Sequence, residues 1–118
     1  LPKGILFDAV LPDVPCSNSG VMARRCEVRY RITPQAVKKL THVQYAILEK
    51  AAALVRPGGR IVYSTCSILE EENNQQIGRF LDRHPDFDFH HATLHPPRPQ
   101  TPERYDCDGG FAALLIRR

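Results

Sequence analysis

The chain has 118 residues, 42% of them hydrophobic and 25% charged, with a formal net charge of +3. That composition supports at most one domain with a real apolar core and is that of a globular chain, not a disordered one. No apolar run approaches the roughly 20 residues that span a bilayer, and so modest a charge leaves any nucleic-acid contact to depend on where the basic residues cluster.

There is no signal-peptide pattern and no initiator Met, so Leu1 reads as a cut or processed start. The cysteines, Cys16, Cys26, Cys66 and Cys107, are irregularly spaced and contain no C-x-x-C. They argue for neither a zinc ribbon nor a disulfide scaffold, and a reducing cytoplasm is the expected setting.

Residues 4–11, Gly-Ile-Leu-Phe-Asp-Ala-Val-Leu, form a near-continuous apolar run, predicted as a strand buried on both faces. A turn-rich loop follows, placing Asp13 and Cys16 beyond the strand's carboxyl end. The segment 17–33 lacks periodicity and carries Arg24, Arg25, Arg29 and Arg31 around Tyr30. Thr33-Pro34 opens a helix. Thr41 followed by Gln44 repeats a capping box, so a break near Thr41 is expected. Gln44, Ile47, Leu48, Ala51, Leu54 and Val55 form one helical stripe, which Gly58-Gly59 closes.

Residues 60–65 predict a buried strand, since Ile61-Val62-Tyr63 is β-branched and aromatic. Ser67 stands three before Glu70, a capping box that opens a helix over 70–83 with acidic residues in its first turn. Cys66 would then sit between a strand end and a helix start, where ligands bind in open α/β sheets and the helix dipole favours negative charge. His84-Pro85 stops the helix. Residues 86–91 alternate, predicting a strand with Phe87 and Phe89 on one side and His90 and His91 on opposite faces, which speaks against a metal site. Asp108-Gly109-Gly110 turns into a last apolar strand over 111–116. The order strand, helix, strand, helix, strand, strand implies an α/β fold, with parallel crossovers first and an antiparallel final pair.

Two of these stretches resemble known motifs. Residues 7–22, with Pro12-Asp13-Val14-Pro15-Cys16-Ser17 at their centre, are similar to motif IV of the Sun/Nop-type RNA (cytosine-5) methyltransferases. Gln44, Ile47-Leu48 and the run 55–67, ending Ser64-Thr65-Cys66-Ser67, resemble motif VI, and Glu71-Glu72-Asn73 and Asp108-Gly109-x-Phe111 are similar too. Asn18, Cys26 and Gly110 depart from the family pattern.

The resemblance implies Cys66 as nucleophile, Cys16 as the thiol that releases product, and Asp13 as an acid serving the base or the cofactor. It implies S-adenosylmethionine as methyl donor, and RNA, ribosomal RNA before transfer RNA, as partner. Arg24, Arg25, Arg29 and Arg31 would track the RNA backbone, with Tyr30 stacking on a base.

The Gly-rich cofactor loop of that family precedes motif IV and has no counterpart here. The chain therefore reads as the carboxyl-terminal half of a class I (Rossmann-like) methyltransferase sheet, a partial domain over 1–118 with most of the cofactor site elsewhere. Of the family's strand order 3-2-1-4-5-7-6 it would keep 4-5-7-6. Residues 5–11 would then form an exposed edge prone to self-association. The rival reading is a non-catalytic RNA-binding or interaction module derived from that family.

Overall fold

The computed structural model describes residues 4–17, 19, 32–95 and 109–118. Its elements are β1 (Phe7–Val10), α1 (Pro34–Leu54), β2 (Val55–Thr65), α2 (Asn74–Arg83), β3 (Phe87–His95) and β4 (Gly110–Arg117). The four strands make one sheet in the order β1-β2-β4-β3. β1 and β2 are parallel, and β4 runs antiparallel to both β2 and β3. This is the expected 4-5-7-6 arrangement. Among the described residues no helix is long and apolar enough to cross a membrane.

Alternate residues of the inner strands form one wall of the core: Ile61 and Tyr63 from β2, and Phe111, Ala113 and Leu115 from β4. Leu48 and Ala51 of α1 and Ile77 and Phe80 of α2 cover that wall. Both helices therefore lie on one face of the sheet. The expected stripe on α1 is correct in Gln44, Leu48 and Ala51, but its buried set also includes Thr41 and Ala52.

Several local expectations need correction. α1 begins where predicted, its Thr33 hydroxyl accepting from the Ala36 N–H at 3.1 Å. It then passes through Thr41 without a break, because the Thr41 hydroxyl donates back to the Lys38 carbonyl at 2.8 Å. It ends at Leu54 and runs straight into β2. Gly58 does take a positive φ of 82°, but within β2. Phe7 pairs with Val55 whereas Ala9 pairs with Arg60, so β2 makes an excursion over 56–59 that β1 lacks. Gly59 is needed there because a Cβ would stand 2.8 Å from the Asp8 carbonyl oxygen.

α2 opens at Asn74 rather than Glu70, and its first turn holds no acidic residue. Ser67 does not cap it, and Cys66 is separated from the helix by the loop 67–73. β1 is shorter than expected and is not buried on both faces: Asp8 and Ala9 are exposed, as are Ile5, Leu6 and Leu11 on its flanks. As an edge strand it has β2 as its single strand neighbour among the described residues. On β3, a register shift between Phe89 and His91 interrupts the alternation, and Phe89 is exposed while Phe87 is buried.

Candidate functional site

Because β1 and β2 are parallel neighbours, their carboxyl ends deliver the loops 11–17 and 66–73 to the same edge of the sheet. The pairing continues past β1. The Ser64 N–H donates to the Pro12 carbonyl, and the Val14 N–H donates to the Ser64 carbonyl, each at 3.1 Å. Asp13 thus bridges Ser64, whose hydroxyl donates to Asp13 Oδ1 at 3.2 Å. This holds an exposed carboxylate at the mouth of the edge. Cys16, half-buried, follows three residues later, and Cys66, exposed, leaves β2 directly.

The serine after each cysteine is anchored to one side chain. The Ser17 N–H donates to Glu72 Oε1 and the Ser17 hydroxyl to Glu72 Oε2, each at 2.8 Å. The Ser67 hydroxyl also donates to Glu72 Oε2. Gln44 Nε2 adds a fourth donor to Glu72 at 3.3 Å, while also donating to the Pro15 carbonyl at 2.8 Å. Glu72 has no exposed surface. A buried carboxylate is costly unless its oxygens are saturated with donors, and here two loops and α1 supply them.

Around Cys66 the backbone is fixed on both sides. Thr65 Oγ1 accepts from the Ser67 N–H at 3.1 Å and donates to Asn73 Oδ1 at 2.7 Å, and Asn73 Nδ2 donates to the Ser67 carbonyl at 2.8 Å. Asn73 therefore spends its side chain on the loop instead of capping α2. From beneath, the Tyr63 hydroxyl donates to the Glu72 carbonyl at 2.7 Å. Burial first, then the charge of Glu72, then Cys16, push the Tyr63 phenol far above its ordinary range, so it stays a donor.

Beside the loop 66–73 opens a cleft of about 470 Å³. Leu69 and Glu71 line it from the loop, Val37 and Lys38 from α1, and Gln75 and Arg79 from α2.

Of the residues singled out from sequence, Asp13, Cys16 and Cys66 come to one edge of the sheet. Arg24, Arg25, Arg29, Tyr30 and Arg31 lie outside the described residues, as do Cys26 and Cys107. Among the described residues no cluster of three His, Cys, Asp or Glu side chains could hold a metal ion.

Residues 1–116 match the family model described as 16S rRNA methyltransferase RsmB/F. The chain belongs to that family. An RsmB/F relative from Klebsiella pneumoniae, ribosomal RNA small subunit methyltransferase B, is 42% identical over 115 residues, 95% of this chain and 26% of its own. The chain thus spans about a quarter of that relative's length. Among solved structures, the protein PH0851 superposes with a TM-score of 0.75 at 36% identity, covering 92% of this chain and 26% of that one. NSun6 from Pyrococcus horikoshii, solved with SFG, an S-adenosylmethionine analogue, gives a TM-score of 0.73 at 27% identity over 97% of this chain and 31% of its own. The fold is therefore a fragment of a Rossmann-like methyltransferase sheet.

The residues that sequence reasoning missed in this RsmB/F chain are those that hold the loops: Glu72, Gln44 and Asn73 had other assignments, and Gln76, which donates to Gln44 Oε1 at 3.3 Å behind them, had none. One signal was available. Gln44 is the one amide in an otherwise apolar helical stripe, and a buried amide must find partners.

Proposed function

We propose that the chain is the catalytic part of an S-adenosylmethionine-dependent RNA methyltransferase that modifies carbon 5 of cytosine, in ribosomal RNA, in the cytoplasm, where thiols stay reduced. Supporting this reading is one observation above all. Two cysteines stand at the ends of adjacent parallel strands, and the serine after each is fixed to the same buried carboxylate. The name of the Klebsiella relative supports ribosomal RNA as the substrate class.

Carbon 5 of cytosine is a weak nucleophile, which is why a thiol is wanted. The Cys66 thiolate adds to carbon 6, and the electron pair of the 5,6 double bond moves toward carbon 5. When bound, S-adenosylmethionine supplies the electrophilic methyl group, its sulfur keeping the bonding pair. Asp13 fits a place near that cofactor or at the base, because it is an exposed carboxylate facing the same edge and a cationic or N–H donor would pair with it. Cys16, as thiolate, then takes the carbon 5 proton. The C–H pair restores the double bond, and the Cys66 sulfur leaves with its own electrons. Covalent catalysis of this kind divides one hard substitution into easier steps.

RNA reaches the thiols past Lys38 and Arg79, the two basic residues lining the cleft beside the Cys66 loop, with Arg24, Arg25, Arg29, Tyr30 and Arg31 as further contacts.

In the complete enzyme, Cys66→Ala is expected to abolish both methyl transfer and the covalent protein–RNA species on denaturing gels. Cys16→Ala should accumulate that species, because addition survives while release fails. A Cys16→Ala enzyme that turns over normally and leaves no adduct defeats the two-thiol assignment.

A further inference from the structure

We infer that Glu72 is the positioning residue for both thiols, setting the approach of Cys66 and Cys16 to one base through a single carboxylate. This rests on the two-thiol reading above and adds to it how the two loops are kept in register. Four donors converge on Glu72: the Ser17 N–H and Gln44 Nε2 on Oε1, and the Ser17 and Ser67 hydroxyls on Oε2. Ser17 and Ser67 directly follow Cys16 and Cys66, so moving either thiol's backbone stretches a hydrogen bond to a buried charged acceptor. Such bonds are about twice as strong as neutral ones.

The chemistry explains the need for common control. Addition occurs at carbon 6 and proton removal at carbon 5, neighbouring atoms of one ring. Thiols carried by independent loops would rarely be correct for both, and a misplacement of about 1 Å costs roughly a hundredfold in rate.

A carboxylate suits this node because all four partners donate. Glutamine would turn an N–H toward two of them. The Ser17 N–H cannot reverse, and the Gln44 amide is held by its Nε2 bond to the Pro15 carbonyl and by the Gln76 Nε2 that donates to its oxygen, but the serine hydroxyls can rotate to accept. Glu72→Gln should therefore fold, with its amide nitrogen toward the serines and both loops loosened.

The test is rapid-quench single turnover of the complete enzyme on labelled RNA, which separates amplitude, the fraction of active molecules, from the rate constants of adduct formation and decay. Glu72→Gln is expected to lower both rate constants about tenfold or more, while RNA affinity stays within about twofold, since Glu72 has no exposed surface to offer RNA. Ser67→Ala should slow formation more than decay, and Ser17→Ala decay more than formation. These two variants carry the test if Glu72→Gln does not fold. Wild-type rate constants with reduced amplitude would mean that Glu72 only supports the fold, and the inference falls. It falls too if the serine variants affect both steps alike. A wild-type enzyme that forms no adduct overturns the two-thiol reading, and this inference with it.

Discussion

Tyr63 lies on β2 with none of its surface exposed, and its hydroxyl is held by the Glu72 carbonyl. Replacing it with Phe leaves that buried carbonyl without the phenol donor, so Tyr63→Phe should lose about 1–3 kcal/mol of stability at neutral pH. The variant also changes how stability depends on pH. In the unfolded chain the phenol ionises near its ordinary value of about 10, whereas in the fold burial and the Glu72 charge push it well above. A raised folded value contributes stability that is fully present below the unfolded value and is lost as pH rises past it. Wild-type stability should thus decline above about pH 10 more steeply than that of Tyr63→Phe. Urea denaturation at neutral and alkaline pH checks this: the gap between the two proteins should narrow on going alkaline. A constant gap would mean that the phenol titrates alike in both states.

At the scale of elements, β1 carries the clearest exposed feature. Ile5, Leu6 and Leu11 present apolar surface on either flank of a strand at the sheet's edge. An open edge of this kind is a template for pairing. The isolated 118-residue chain is expected to self-associate through residues 5–11 in sedimentation experiments, and Leu6→Lys to reduce that association. A wild-type chain that stays monomeric at rising concentration defeats the expectation. The apolar run of β1 was legible in the sequence, and its exposure was expected only through the family's strand order, since apolar letters read the same in a central strand as at an edge. What was legible was local: the Thr33-Pro34 helix start, the β-branched run of β2, the His84-Pro85 stop, and two cysteines following two strands. What was hidden was long-range. Ser67-x-x-Glu70 fits a helix cap by spacing, yet the Ser67 hydroxyl is taken by Glu72 and by the Leu69 N–H. Gln44 is decided by Pro15, 29 positions away, and Ser17 by Glu72, 55 positions away. No local window contains those partners.

For the molecule as a whole, both thiols and Asp13 are gathered at one edge of a four-stranded sheet, while PH0851 and the Pyrococcus NSun6 are three to four times longer than the matched part. Asp13 is the single residue here proposed to meet the methyl donor. Titration calorimetry of the isolated chain with S-adenosylmethionine is expected to give no saturable heat. Tight binding would mean that these 118 residues carry a cofactor site not assigned to them here.

The position of β4 has a consequence for how the protein comes into being. It is the strand that bonds to both β2 and β3, yet it follows every other described element. A ribosome adding ~5–20 residues per second finishes β2 some seconds before β4 emerges. During that interval the nascent β2 has β1 on one flank and a bare row of amides and carbonyls on the other. β3, already made, has no partner to join it to the sheet. The sheet therefore closes from its middle, so chaperones have their natural opening on this chain in the interval before β4 emerges.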